Sequence, residues 1–276
     1  MADFVQYAIR TDEAHIICLD TLTPGADDGS LCDQRMAWLR RELSEATGEH
    51  ELLLIDLESR RARHSRLQKL SSIGAISGGD LLEVHTRGLS GDPPYEFFAD
   101  EYRLNAWLGV YPKPIVSLID GIVMGGGVGI SVHGRYRVMT EKAVFAMPEV
   151  GIGFFPDVGG SHFLPRLEEN FGLYLALTGD RIKSGDALKC GVATHVAQSA
   201  DLDEILRLLI ETGEPEKVLP GLCNPTEAAP ASHDHTHIRH LFAGETLSEV
   251  VSNLRCRSNS DPVAASCMEK MSAKCP

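Results

Sequence analysis

Two carboxylates flank a glycine-rich apolar run: Glu149 in MPE and Asp157 in PDVGG, separated by Gly151-Ile152-Gly153-Phe154-Phe155-Pro156. Such a run brings few hydrogen-bonding side chains, so both acids are expected to face a dry cavity. Burial there raises a carboxylate's pKa and makes it a general base or a nucleophile close to neutral pH. Upstream stand three consecutive glycines, Gly125, Gly126 and Gly127, after an apolar strand and before a helix start at Val128–His133. Glycine lets backbone N–H groups approach a ligand without a Cβ in the way, and at a helix start those donors carry the positive end of the dipole. This is the physics of an oxyanion hole, so strand, glycine turn, helix start and paired acids read as an acyl-transfer site. Plainer readings stand beside it. The glycines also suit a tight bend, Glu149 a turn, and Asp157 the N-cap of a helix begun by PDVGGS.

A third acid sits oddly. In PPYEFFADEYRLNAWLGVY, residues 93–111, Phe97, Leu104 and Leu108 form an apolar helical stripe, and Glu101 falls on it. A carboxylate on a buried face is costly unless paired or used. It is either salt-bridged to Arg103 or its neighbours or part of a site.

Other chemistries fit less well. No Gly-Lys-Ser/Thr follows the glycines, so a P-loop is disfavoured, and Ile130 stands where a dinucleotide fingerprint needs its third glycine. Gly129-Ile130-Ser131-Val132-His133 resembles a nucleophile elbow with its last glycine replaced by histidine. Ser131 and His133 read better as ordinary helix residues. His233, His235, His237 and His240 have metal-like spacing, but their loop-like flanks favour a solvated polar segment. The basic stretch 60–70, RRARHSRLQKL, reads as a solvated face, with phosphates of a nucleotide-like ligand as the alternative.

The elements that must position these residues alternate. HIICLD (15–20) and ELLLIDL (51–57) are continuous apolar strands, with a helix expected between them at about 31–47. The rhythm predicts a parallel or mixed sheet with crossover helices. Beyond Leu167, helices are expected at 171–177, 184–189 and 201–211, with a strand at 192–196. Residues 213–232, rich in Pro, Gly and Glu, read as a linker before helices at 246–255 and 262–274. The expected division is therefore a core over 1–212, then a linker and partial helical region over 213–276.

Composition bounds the partners. With 43% hydrophobic and 24% charged residues the chain is of ordinary globular type, and a net charge of −13 disfavours nucleic-acid and anionic-membrane contact. Seven cysteines without a C-x-x-C pair suit reduced thiols in an intracellular compartment. Neither a membrane span nor a targeting segment is expected from the apolar runs or from MADFVQYAIRTDEAH.

Three segments together resemble the 3-hydroxyisobutyryl-CoA hydrolase branch of the crotonase (enoyl-CoA hydratase/isomerase) superfamily: KPIVSLIDGIVMGGGVGISVHGRYRV, FAMPEVGIGFFPDVGGSHFLPRL and LALTGDRIKSGDALKCGVATHV. The resemblance is strong over about 95–196. It implies an α/β fold with a spiral core of repeated ββα units, followed by C-terminal helices shortened relative to the family. It also implies an acyl-CoA thioester substrate, with coenzyme A as part of that substrate and no separate cofactor or metal. Homo-oligomerisation is left open, and the compartment would be the mitochondrial matrix in a eukaryote or the cytoplasm in a bacterium. By matching motifs, Gly126 and Gly79 (in ISGGD, where the family writes CAGGD) would form the oxyanion hole. Glu149 would be the catalytic glutamate, Asp157 the acid at the substrate's 3-hydroxyl, and Glu101 a further substrate-binding acid. Hydratases carry a second glutamate where this chain has Gly129, so the resemblance favours thioester hydrolysis over hydration or isomerisation. The alternative without catalysis is a structural protein with a retained crotonase fold in a larger mitochondrial assembly.

Overall fold

The computed structural model describes residues 6–10, 14–19, 41, 52–57, 87–91 and 95–274. The helix expected at 31–47, the basic stretch 60–70 and the ISGGD turn fall outside those residues, Arg41 excepted.

The first two apolar runs are strands, β2 at Ala14–Leu19 and β3 at Leu52–Leu57, preceded by β1 at Gln6–Arg10. Helix α1 (Tyr95–Gly109) leads into β4 (Ile115–Ile119), whose IVSLI is buried at all five positions, as a strand covered on both faces requires. A ββα rhythm follows. Strand β5 (Ile122–Met124) feeds helix α2 (Gly126–Ser131), and β6 (Tyr136–Thr140) and β7 (Val144–Ala146) feed a 3₁₀ turn at Glu149–Ile152 and helix α3 (Gly160–Phe163). Next come α4 (Phe171–Thr178), β8 (Ile182–Lys183), α5 (Ser184–Cys190), β9 (His195–Ala197) and α6 (Leu202–Thr212).

The described strands form two sheets. One has the order β1-β2-β3-β4-β6-β9, parallel throughout except for the β1–β2 pair. The other has the order β5-β7-β8. Each ββα unit thus gives one strand to each sheet and then a helix, so consecutive units step sideways as a spiral. This is the expected fold class. The turns between the sheets carry the glycines and the acids.

The 213–232 stretch, expected as a linker, instead contains helix α7 (Pro215–Leu222), with Val218 and Leu219 buried. Its leading proline is tolerated because the N–H it lacks would have no partner in a first turn. Helices α8 (His235–Leu241), α9 (Leu247–Arg257) and α10 (Pro262–Ser272) complete the described chain. Among the described residues an apolar cluster runs from Leu104 and Val116 through Phe145, Phe171 and Leu209 to Ile238, Leu254 and Cys267, joining residues on both sides of 212.

Candidate active site

Helix α1 sets the first acid. Leu104 and Leu108 are buried on one face, and Glu101 is buried on the same face. The expected surface pair with Arg103 does not form, because Arg103 donates to Asp100 at 3.0 Å. Burial, reinforced by the negative charge of Asp157, pushes Glu101 up to about 8.

Glu149 opens the 3₁₀ turn and is only 7% exposed. Its Oε2 is buried with no hydrogen-bond partner. Burial raises its pKa to about 7, with the charge of Asp157 adding to the effect and its own backbone N–H opposing it.

Asp157 is also raised by burial, against hydrogen bonds that favour its charged form. One of these comes from Tyr102, whose hydroxyl donates to Asp157 Oδ2 at 3.0 Å. The capping expectation fails, since α3 has Gly159 at its N-cap and no side-chain cap. The reason is local: Val158 and Gly159 both take positive φ, +45° and +86°, which lifts Asp157 out of capping position. The three carboxylates therefore form one electrostatically coupled group, each raised by burial.

Gly125 has φ +50° and ψ −123°, a region essentially restricted to glycine, and it turns β5 sharply into α2. The first N–H groups of a helix have no intrahelical acceptor, so the start at Gly126 presents donors by construction. Gly126 is buried. Gly79, its expected counterpart, lies outside the described residues.

Gly129 is crowded. A Cβ built there would lie 2.7 Å from Val158 Cβ and 2.9 Å from Asn105 Oδ1. Asn105 is buried one helical turn beyond Glu101, and neither its oxygen nor its nitrogen has a partner. Sequence reasoning passed over Asn105 and Tyr102. Both are in DEYRLN, and Asn105 shares the inward face of Glu101 by i, i+4 spacing.

Ser131 is no exposed nucleophile: it is buried, and its hydroxyl donates to Gly127 O at 2.7 Å within its own helix. The histidine segment is not uniformly solvated as expected. His235 is fully buried on α8, bonded to Asp186 Oδ1 at 3.0 Å and stacked on Phe171. Among the described residues, no group of His, Cys, Asp or Glu is arranged to hold a metal ion, and no helix is long and apolar enough to cross a membrane.

Comparison with known proteins identifies the family. The enoyl-CoA hydratase/isomerase family profile matches residues 67–276. Among curated proteins, the mitochondrial 3-hydroxyisobutyryl-CoA hydrolase of Xenopus laevis is 45% identical over 195 residues, which is 67% of this chain and 51% of that protein. The chain thus spans about half the length of the curated relatives it matches. Among solved structures, a carnitinyl-CoA dehydratase from Mycobacterium thermoresistibile superposes with a TM-score of 0.81 at 31% identity, covering 98% of this chain and 75% of that one. An enoyl-CoA hydratase from Rhodobacter sphaeroides gives 0.76 at 32%, covering 98% and 74%. The chain belongs to the enoyl-CoA hydratase/isomerase family.

Proposed function

We propose that this family member hydrolyses the thioester of a short 3-hydroxyacyl-CoA, with 3-hydroxyisobutyryl-CoA, an intermediate of valine degradation, as the first candidate. The observation that carries the reading is Glu149, a buried carboxylate with an unpartnered oxygen and a pKa raised to about 7. Such a group is divided between its two protonation states at neutral pH, as a general base should be. Glu149 takes a proton from water, and the oxygen adds to the thioester carbonyl. The tetrahedral oxyanion is held by the N–H groups of Gly126 and Gly79. It collapses with cleavage of the C–S bond, and the sulfur leaves with the proton returned by Glu149. Direct attack by the carboxylate to give a mixed anhydride, then hydrolysed, uses the same groups. Asp157 and Glu101 hold the 3-hydroxyl end. With its pKa near 8, Glu101 is largely protonated at pH 7 and donates as well as accepts there.

The solved neighbours, a carnitinyl-CoA dehydratase and an enoyl-CoA hydratase, favour a second reading, hydration of an enoyl-CoA. Gly129 speaks against it. Hydration uses two acids around one water, and Val158 and Asn105 fill the space a second acid would enter from that position. A structural role is disfavoured because costly, poorly paired buried acids have been retained. The names of the curated relatives support a mitochondrial location for a eukaryotic chain.

The test is release of free CoA thiol from 3-hydroxyisobutyryl-CoA, with crotonyl-CoA in parallel and Glu149→Ala as the control. Release that vanishes in the variant, with crotonyl-CoA unchanged, is expected. Hydration of crotonyl-CoA without thiol release establishes the second reading. No reaction from a folded sample overturns both.

A further inference from the structure

The site described so far leaves His133 without a role, although its contacts are among the most constrained nearby. Its Nε2 lies 2.8 Å from the carbonyl oxygen of Val158. A carbonyl only accepts, so Nε2 carries the proton, and burial favours the neutral ring. The ring also packs flat ground: a Cβ on Gly159 would lie 2.5 Å from His133 Cε1. Four residues earlier, Gly129 receives the Val158 side chain, since a Cβ there would lie 2.7 Å from Val158 Cβ.

Val158 is the anomaly these contacts enclose. It is a β-branched residue at φ +45° with a buried side chain, followed by Gly159 at φ +86°. A branched side chain in the left-handed region is strained and persists only where its surroundings over-determine it. Gly129 fixes the Val158 side chain, His133 fixes its carbonyl, and Gly159 admits the imidazole. The residue immediately before this turn is Asp157, whose carboxylate is then oriented by Tyr102. Backbone and side chain of Asp157 are thus set from two different elements.

We propose that His133 is a positioning residue for Asp157: its hydrogen bond to the Val158 carbonyl holds the left-handed turn that aims the Asp157 carboxylate at the substrate's 3-hydroxyl. On this reading its effect on rate passes through Asp157 alone, and this separates it from a general structural residue. As far as rate is the readout, the proposal rests on the thioesterase reading above.

The experiment is a double-mutant cycle with His133→Leu and Asp157→Asn, with His133→Gln as the conservative variant that keeps an N–H donor, read by thiol release. Expected are a fall of about 10–100-fold in kcat for His133→Leu, smaller change in KM, several-fold recovery in His133→Gln, and no further loss when His133→Leu is added to Asp157→Asn. Equal loss in both backgrounds would show a structural residue only and overturn the proposal. Amide hydrogen exchange over 157–160 is read on the same proteins without substrate. It should accelerate in His133→Leu and return toward the wild-type rate in His133→Gln. Unchanged exchange overturns the proposal even if rates fall. A wild-type protein that releases no thiol refutes the thioesterase reading instead, and exchange then decides whether His133 holds the turn.

Discussion

Glu149 and Asp186 are both buried carboxylates, yet one is held well above its ordinary pKa and the other well below it. Burial pushes both upward. At Asp186 that push is outweighed by donors: His233 Nδ1 at 2.8 Å, the backbone N–H of Ser232 at 3.0 Å and His235 Nε2 at 3.0 Å, leaving it at about 2. Asp180, next to it in the network, accepts from Tyr174 and Lys270 and pairs with His233 Nε2 at 3.7 Å. Glu149 Oε2 has no such donors. The same residue class therefore serves two ends. Where donors are supplied, a buried acid ties α4, α5, α8 and α10 together; where they are withheld, its pKa stays raised. Burial alone marks neither role, and the hydrogen-bond inventory separates them.

This contrast can be broken by experiment. The largest effect is expected for Glu149→Ala, which should lower thiol release by about 10³–10⁴-fold, about 4–5.5 kcal/mol of barrier, while unfolding by urea stays unchanged or shifts to higher midpoint. Asp186→Ala should do the reverse. Stripping the partner from two histidines costs about 3–5 kcal/mol of stability, read as a lower urea midpoint, with activity preserved in whatever fraction remains folded.

The pH dependence sharpens the same point. Below pH 4.5, the ordinary value for a glutamate, Glu101 is protonated folded and unfolded; as pH rises through about 8 the folded protein must ionise a buried group that the unfolded chain ionised earlier. Its protonated form thus favours folding at low pH, and that contribution is lost between about 4.5 and 8. Glu101→Gln should therefore gain on wild type across that window, by on the order of 2–4 kcal/mol at pH 9. Equal stability differences at pH 4 and pH 9 would remove Glu101 from the group of strained acids. The Asp186 network runs oppositely: its carboxylate contributes above about 3.8 and loses that contribution as pH falls toward 2. The smallest effect is expected at Gly129→Ala, about 1–3 kcal/mol of overpacking, part of it recovered by adding Asn105→Ala and all of it visible by thermal unfolding.

How much of this the sequence carried depended on how local the cause was. The continuous apolar runs of β2, β3 and β4 and the glycine turn before α2 announce themselves, because their signals lie within a few residues. Glu101 was conspicuous as an acid on an apolar stripe. Its supposed partner was wrong for a geometric reason: residues two apart on a helix do not face each other, whereas Asp100 is three before Arg103 and does. The role of His235 was invisible, since the acid that buries it is 49 residues earlier. Helix α7 was hidden by prolines and a glycine that a local reading counts as breakers. The failure of Asp157 as a cap depended on Val158 adopting positive φ, for which a valine gives no warning.

The last described helix has a consequence for the order in which the site is made. Lys270 bonds to Asp180 across 90 positions of chain, and Lys274 Nζ lies 3.9 Å from where a side chain on Gly151, in the Glu149 turn, would begin. During synthesis the chain leaves the ribosome from its N-terminal side, so Glu149 emerges long before the residues that lie against its turn. Contacts of such long sequence separation close late, after loop entropy has been overcome. A nascent chain therefore carries these acids for a time before α10 packs near the turn that holds Glu149.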